Sequence, residues 1–333
     1  MSRGICVAGN MIVDNLYPTN GWPNRGELVH ILDGMSQSTG GVACNTTKTL
    51  ARLDPQMPIY AMGRIGTDAH GDYILQELTE HANVDVSNIL RDGTSAFTLA
   101  LSDVVSKERT FFTYLGANGR FCEDDIDWER LDCDILHIGY ILLLDALDQE
   151  DPEYGTRMAR LLHSAQQRGI RTSIDVVSEA SDRFRRLVPP ALKYADYCVI
   201  NEIEAGETTG ISLRDSDGHL LRENMLPALK RMKEMGVSTW TVIHSPEGGF
   251  GLDEQNRYVA MDSLKLPEGF IKASVGAGDA FCAGVLCGAE HGDRLEDAIA
   301  LGIAAATASL SDESATGGVG TVAEVMELYR KYR

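Results

Sequence analysis

The sequence predicts an α/β protein built around a mostly parallel sheet. Strand-like and helix-like segments alternate along nearly the whole chain, as they do in successive βαβ units. The chain has 333 residues with 44% hydrophobic composition, which is enough to bury a large core. We therefore expect one domain over residues 1–333, with two insertions that depart from the alternation.

Composition and charge exclude several classes of protein. The net charge of −19 opposes binding to nucleic acid or to an anionic membrane. The longest apolar run, 135–144, is interrupted by His137, so no segment is expected to span a bilayer. Seven scattered cysteines fit reduced thiols better than a disulfide framework, and the chain opens directly into a strand without a signal-peptide pattern. These features predict a soluble, cytoplasmic protein.

The first third of the chain establishes the alternation. Residues 4–9 are typical of a buried strand that ends at a glycine. A glycine pair then opens a helix that ends near residue 53, and the strand 59–65 leads into a helix that ends near residue 81. Ligands of open parallel sheets bind beyond the carboxyl ends of the strands, so Asp14, the first acid after the first strand, is a candidate binding residue.

Period-two alternation with no intervening helix predicts a small second sheet. Residues 96–104 and 109–115 have a hairpin pattern around a turn at 106–108, and residues 28–32 form a strand-like segment among turn formers. These strands would form a lid over the main sheet. The lid insertions are expected at about 15–37 and 94–117.

The second half of the chain returns to the βα rhythm. The predicted strands are 135–138, 172–175, 197–200, 239–243 and 257–260, and the predicted helices are 153–168, 220–235, 295–310 and 322–329. A further helix of small and apolar residues begins within 274–281.

The start of that helix carries the strongest functional signal. A Gly-x-Gly at a strand-to-helix junction allows a sharp turn and leaves amide groups free at the positive end of the helix dipole, which favours an anion. Asp279 follows at once, and phosphoryl transfer to a hydroxyl needs both an anion site and a base. The alternative is an ordinary capped helix. A dinucleotide fingerprint and a P-loop are both excluded, because the chain lacks the glycines and the Gly-Lys-Ser/Thr that they require.

Two other clusters are weaker signals. Gly40 and Gly41 allow close backbone approach to a ligand, and Asn45 in the following turn can donate and accept hydrogen bonds, although an ordinary tight turn has the same composition. Asn201 and Glu204 follow a strand and suit Mg²⁺, although they are also typical of an acidic first helical turn.

Taken together, these motifs resemble the ribokinase-like (PfkB) family of sugar and nucleoside kinases. They occur in the family's order over nearly the whole chain, and the last of them is the most specific. The motifs are Asp14, Gly-Gly-x-x-x-Asn at 40–45, Gly-x-Ile-Gly-x-Asp-x-x-Gly at 63–71, Gly-Ala-Asn at 116–118, Asn-x-x-Glu at 201–204 and Gly-Ala-Gly-Asp-Ala-Phe at 276–281.

The resemblance implies a three-layer α/β/α sandwich with a small β lid, and transfer of the ATP γ-phosphoryl group to a primary hydroxyl of a sugar or sugar derivative. Asp279 would be the base, and Gly276, Ala277 and Gly278 would form the anion hole. The residues expected to bind the acceptor are Asp14, Gly40, Gly41, Asn45 and Asn118. The residues expected to bind the nucleotide are Asn201, Glu204, His244, Gly249 and Ile303, of which Asn201 and Glu204 would also position Mg²⁺ through water.

The chain departs from the family pattern at several positions. Ala273 and Ser274 replace the usual Asp-Thr, which argues against a monovalent-cation site. The nucleotide loop at 244–249 keeps only its last glycine, and Ile303 stands where an asparagine is common. Ile12 replaces the polar residue that ribokinase has two positions before its first acid, so ribose is a poor candidate for the acceptor.

Four further expectations remain open at this point. A nucleoside kinase would need an aromatic slot from lid residues such as Phe97, Phe111, Phe112 or Tyr114, and a non-catalytic sugar or nucleotide sensor would explain the altered nucleotide loop. The exposed edges of the lid predict a homodimer through the lid. The dipole of the helix is expected to lower the pKa of the Asp279 carboxyl.

Overall fold

The computed structural model describes residues 2–106, 108–178 and 182–333. The strands are β1 (Ile5–Gly9), β2 (Ile12–Thr19), β3 (Ser36–Gly40), β4 (Ile59–Ile65), β5 (Val84–Arg91), β6 (Ala96–Asp103), β7 (Arg109–Tyr114), β8 (Ile135–Ile141), β9 (Glu150–Asp151), β10 (Gly155–Thr156), β11 (Arg171–Val176), β12 (Tyr197–Asn201), β13 (Trp240–Ser245), β14 (Gly248–Leu252) and β15 (Tyr258–Asp262). The helices are α1 (Val42–Leu53), α2 (Ala69–Thr79), α3 (Arg157–Gln166), α4 (Phe184–Leu192), α5 (Glu202–Thr209), α6 (Met225–Met235), α7 (Ala277–His291), α8 (Leu295–Ser309) and α9 (Val322–Tyr332).

The central sheet has the order β15-β14-β13-β12-β11-β8-β1-β4-β5. Its pairs from β13 to β5 are parallel, and β14 and β15 add antiparallel strands at one end. One buried apolar cluster contains residues of α1, α2, α7, α8 and α9, and a second contains residues of α3 to α6. The helices therefore cover both faces of the sheet, and the predicted α/β class and α/β/α layering are confirmed.

The lid is a separate sheet of order β3-β2-β6-β7. The predicted hairpin is present as β6 and β7, although its turn includes Lys107, which lies outside the described residues. The prediction of a strand at 28–32 is wrong, because this segment makes only a single bridge, between Ile31 and Thr19. Its place in the lid is taken by β2 and β3. Both were missed because they carry many polar residues and therefore lack a clear apolar period.

Other elements of the main body also differ from the sequence prediction, which did not include β5 or α4. The loop expected at 244–249 is a tight hairpin between β13 and β14, so its glycines belong to a strand. These glycines are required by packing, since a Cβ on Gly249 would lie 2.7 Å from Cγ2 of Ile299. Helix α3 begins at Arg157 rather than at residue 153. The side chain of Thr156 caps the helix by accepting a hydrogen bond from the Ala159 amide. In the described part of the chain, no helix combines the length and hydropathy needed to cross a bilayer.

Helices α7 and α8 approach each other closely through glycine. A Cβ on Gly284 of α7 would lie 2.7 Å from the Cα of Gly302 in α8, and a Cβ on Gly302 would lie 2.9 Å from the Phe281 carbonyl. Backbone-to-backbone contact at this distance leaves no flexible side chain to move aside. The pair therefore fixes the position of α7, whose amino end carries the candidate anion site.

We expect Gly284→Ala to lower the free energy of unfolding by about 2 kcal/mol, because the added methyl group must push α8 away from α7. Gly206→Ala in α5 is the matched control. It makes the same change inside a helix, but its added carbon would lie 3.3 Å from its nearest neighbour and the alanine favours the helix. Urea denaturation of both variants measures the difference, and equal stability of the two would contradict the packing argument.

Candidate active site

The amino end of α7 forms the predicted anion turn. Gly276 precedes the helix in a left-handed conformation, with φ 79°, and a Cβ at this position would lie 2.5 Å from that of Ala315. Glycine is therefore required here for both conformation and space. Helix α7 begins at Ala277 without a side-chain cap among the described residues. The amides of Gly278 and Asp279 have no backbone partner one turn earlier among these residues, and the Ala277 amide makes only a long bond of 3.4 Å to the Ser274 carbonyl.

Asp279 lies in this first turn, and each of its carboxylate oxygens accepts a hydrogen bond. The Asn45 side chain donates to Oδ2 at 2.8 Å, and the Tyr140 hydroxyl donates to Oδ1 at 2.7 Å. The residue is only 4% exposed. Burial raises the pKa of the carboxyl, while the two hydrogen bonds act in the opposite direction. The net pKa of Asp279 is therefore raised rather than lowered as expected, because burial outweighs the two hydrogen bonds.

Asn45 connects Asp279 to the glycine pair and the lid. Its Oδ1 is buried and has no hydrogen-bond partner among the described residues. Gly41 precedes α1 with φ 79°, and a Cβ there would lie 2.4 Å from the Asn10 carbonyl oxygen. A Cβ on Gly40 would lie 2.1 Å from Oδ2 of Asp14, so the bare backbone leaves room for that carboxylate. The structure thus brings Asp14, Gly40, Gly41, Asn45 and Asp279 into one continuous chain of neighbours.

Asn118 does not have the exposure expected of an acceptor-binding residue. It is fully buried, and its side chain donates to the Met11 carbonyl at 2.8 Å and accepts from the Met11 amide at 3.2 Å. This side chain therefore fixes the short link between β1 and β2, and its contact with an acceptor stays a prediction. The Gly-x-Ile-Gly-x-Asp motif is also architectural: Asp68 accepts hydrogen bonds from the Gly71 amide and from both the amide and the hydroxyl of Ser95.

Asn201 and Glu204 form a reciprocal cap on α5. The Asn201 Oδ1 accepts from the Glu204 amide at 2.9 Å, and the Glu204 Oε2 accepts from the Asn201 amide at 3.0 Å. The Ser178 hydroxyl donates to the other carboxylate oxygen of Glu204 at 2.8 Å. Burial raises the pKa of Glu204 to about 7 despite these hydrogen bonds. The interpretation of Asn201 and Glu204 as part of a first helical turn is thus correct. It does not exclude a Mg²⁺ site, because both residues also line a cavity.

This small cavity, of about 110 Å³, brings several acids together. Asp175 and Glu204 line it beside Asp279, and Asn201 and Tyr140 complete the wall. Burial, together with the charges of Glu204 and Asp279, holds the pKa of Asp175 well above its ordinary value. Carboxylate and amide oxygens are the ligands that Mg²⁺ prefers, and a cation here would relieve the repulsion between the acids. The residues present therefore fit a hydrated Mg²⁺.

Sequence reasoning assigned no role to Tyr140 or Asp175. Tyr140 lies in β8 and Asp175 in β11, both near the carboxyl ends of their strands. The rule that ligands bind beyond the carboxyl ends of parallel strands was therefore the available signal.

A larger cavity of about 640 Å³ adjoins the small one. Its wall is largely apolar and includes Ile303 and Gly248, whereas Gly249 is not part of the lining. The His244 ring stacks on Phe281 with 4.9 Å between ring centroids. Burial lowers the pKa of His244 to about 4, so the ring is neutral near pH 7. Three residues line both cavities, namely Asn201, His244 and Gly278.

Comparison with known families decides the assignment. The model of the pfkB family carbohydrate kinases matches residues 2–321. The chain belongs to this family. The resemblance noted from the sequence motifs is therefore confirmed over nearly the whole chain. Among curated proteins, none matches this sequence at a significant level.

Solved structures with the same fold include several ribokinases and a nucleoside kinase. The ribokinase of Arabidopsis thaliana, solved with ribose and ATP, superposes with a TM-score of 0.80 at 18% identity over 99% of each chain. The ribokinase of Cryptococcus neoformans, solved with ADP, gives 0.76 at 18% identity over 98% of this chain and 99% of that one. The nucleoside kinase of Methanocaldococcus jannaschii gives 0.73 at 16% identity over 99% of both chains. At these identities the likeness shows that this PfkB member shares their fold.

The raised pKa of Glu204 predicts a pH dependence of stability. A carboxyl whose pKa rises from 4.5 to about 7 on folding binds its proton more tightly in the folded state. Its contribution to stability is therefore full below about pH 4.5 and is lost as the pH rises to about 7. Glu204→Gln removes this loss. We expect the stability of the variant relative to the wild type to increase with pH across that window, measured by urea denaturation in EDTA. A stability difference that does not change with pH would contradict the raised pKa of Glu204.

Proposed function

We propose that the protein is an ATP-dependent kinase that phosphorylates a primary hydroxyl of a sugar or sugar derivative. The observation that carries this proposal is the convergence of Asp279, Asn45 and the uncapped amino end of α7. An anion site made of backbone amides adjoins a buried carboxylate whose pKa is raised, and this carboxylate is linked to the lid through Asn45. Few reactions other than phosphoryl transfer to an alcohol require all of these groups together.

The roles of the residues follow from their positions. The acceptor hydroxyl would donate to the Asp279 carboxylate, which takes the proton as the bond to phosphorus forms. The amides of Ala277 and Gly278, with Gly276 allowing the turn, would neutralise the charge on the migrating phosphoryl group. The raised pKa makes Asp279 a better base than an exposed aspartate, because general-base catalysis improves as the pKa approaches the working pH.

The two cavities suit a nucleotide and its metal ion. ATP would occupy the larger cavity, with its base against the apolar wall that includes Ile303 and its phosphates toward the residues shared with the small cavity. Asn201, Glu204 and Asp175 would hold Mg²⁺ mainly through water, because the oxygens of Asn201 and Glu204 already accept hydrogen bonds. Mg²⁺ would neutralise charge on the β- and γ-phosphates. The methyl group of Ala273 offers no oxygen ligand for a monovalent cation.

The lid favours a hydroxyl-rich acceptor. Ser38, Asp14 and Thr98 lie in register on three adjacent strands, and Thr98 pairs with Thr113 on the fourth. Since residues in register lie on the same face, this row presents hydroxyls and one carboxylate to the acceptor side. Such groups match the hydroxyls of a sugar.

A nucleoside kinase is the second candidate. Phe111 lies two residues from Thr113, on the same lid face, and is 63% exposed, so it could stack on a base. Phe97 is less available, because it packs between the rings of His70 and Tyr114.

A coupled assay of ADP release tests the proposal. Purified protein with MgATP is presented with a panel of sugars, sugar derivatives and nucleosides. Turnover with a sugar supports the leading proposal, and turnover confined to nucleosides supports the second candidate. Tight nucleotide binding without turnover of any acceptor would instead identify a non-catalytic sensor.

We expect Asp279→Asn to lower kcat at least about 100-fold, because the amide cannot take the hydroxyl proton. Binding of ATP, measured by calorimetry, should stay within a few-fold of the wild type. Asp253→Asn is the matched control: Asp253 is also 4% exposed and is paired with Arg257 outside both cavities. Wild-type turnover in the Asp279 variant would remove this residue from the role of base.

We also propose a homodimer through the lid. Every residue of β7, the edge strand of the lid, is exposed, including Phe111 and Phe112. An apolar edge strand of this kind is commonly covered by a second chain. We expect a dimer in sedimentation velocity at micromolar concentration and a monomer for Phe112→Lys. The control Tyr258→Lys, on the edge strand β15, should remain dimeric. A monomeric wild type would contradict this proposal.

A further inference from the structure

We propose that Tyr140 is a positioning residue that fixes the orientation of the Asp279 carboxylate toward the acceptor hydroxyl. This inference rests on the proposed kinase reaction. Its basis is the bond of 2.7 Å between the Tyr140 hydroxyl and Oδ1 of Asp279, which no sequence motif of the chain predicts.

The two hydrogen bonds of Asp279 come from two different elements of the fold. Asn45 lies in the first half of α1 and donates to Oδ2, whereas Tyr140 lies in β8 and donates to Oδ1. With one donor on each oxygen, the carboxylate group cannot rotate about its Cβ–Cγ bond without breaking a hydrogen bond. Each oxygen keeps a further lone pair for an acceptor hydroxyl. Two donors therefore determine the direction from which a proton can arrive.

The surroundings of Tyr140 keep its phenol in the donor form. The hydroxyl is close to the carboxyl groups of Asp279, Asp175 and Glu204. Burial and these neighbouring charges hold the pKa of Tyr140 well above its ordinary value. The phenol therefore remains protonated throughout the pH range in which the carboxylates ionise, and its proton is available to Asp279 at all times.

The segment that follows Tyr140 is held by its own contacts. Leu142 has a left-handed backbone, with φ 84°, which is unfavourable for a leucine. Its amide donates to Oδ1 of Asp148 at 3.1 Å, and its carbonyl accepts from Arg183 at 3.1 Å. Arg183 also pairs with Asp148 at 3.0 Å. A strained residue that is held by a partly buried ion pair only two positions from Tyr140 indicates that the placement of this ring is enforced by the fold.

The test compares Tyr140→Phe with Tyr197→Phe. Tyr197 makes a matched control, because its hydroxyl accepts a hydrogen bond from Arg171 at 2.8 Å, yet it begins β12 at the end of the strand opposite to Asn201. With the best acceptor of the panel, we expect Tyr140→Phe to lower kcat by ten- to a hundredfold and to leave the KM for ATP within twofold. Tyr197→Phe should change neither parameter by more than twofold. A kcat within threefold of the wild type for Tyr140→Phe would overturn the inference.

Asp148→Ala provides a second, independent variant. It removes the support of Leu142 without touching either cavity, and we expect a loss of kcat of at least fivefold. In the Tyr140→Phe background the same substitution should cause no further loss, because both act through one hydrogen bond to Asp279. If the two losses of kcat multiply in the double variant, the result would contradict this coupling. If Tyr140→Phe does not fold, as judged by thermal melting, Asp148→Ala decides alone, and a kcat within twofold of the wild type overturns the inference.

Failure of this inference differs from failure of the proposed function. Absence of ADP release by the wild-type protein with every acceptor would overturn the kinase reaction, and this inference with it. Wild-type turnover that Tyr140→Phe preserves would overturn the role of Tyr140 alone.

Discussion

The hydrogen bond between Asn45 and Asp279 is the contact on which the arrangement of the site depends. It joins the amino ends of α1 and α7, which are more than 200 residues apart in the chain. Both helices follow a glycine with φ 79°, and neither has a side-chain cap among the described residues. Helix α1 follows the lid strand β3, and α7 follows a loop after the antiparallel strand β15, so the two turns come from different sheets. The bond then fixes their relative position.

The same edge of the sheet concentrates negative charge in a low-dielectric setting. Asp175, Glu204 and Asp279 are all buried, and burial raises the pKa of each. Placing acids in this way weakens the fold near neutral pH, since each must either bind a proton or ionise at a cost. A protein that keeps such a cluster gains in return a place where a cation, or a proton from a ligand, is bound strongly.

Local motifs allowed the turn at Gly276 and the candidate site residues Asp279 and Asn45 to be selected from the sequence, because each motif depends on the conformation of a few consecutive residues. The regular βα units were predictable for the same reason. Long-range contacts were not. The burial of Asn118 against Met11 and the contact of Tyr140 with Asp279 depend on residues more than 100 positions apart.

The strand β3, Ser-Gln-Ser-Thr-Gly, has no apolar residue, so its pairing in the lid could not be predicted from a hydrophobic period. Gly249 was predicted to contact nucleotide, but the alternation of side-chain direction along β14 turns it toward Phe281 and leaves the cavity to Gly248.

The wall shared by the two cavities determines the orientation of any molecule long enough to fill both. Its hydrophobic end must lie against α8, where the lining is aliphatic, and its charged end must pass His244 and Gly278 before it reaches the acids. A ligand inserted in the reverse sense would bury its charges among Leu264, Leu266 and Ile303, without any compensating donor from those side chains. The order of apolar and polar surface along the two cavities thus selects the orientation of the ligand, before any individual hydrogen bond is formed.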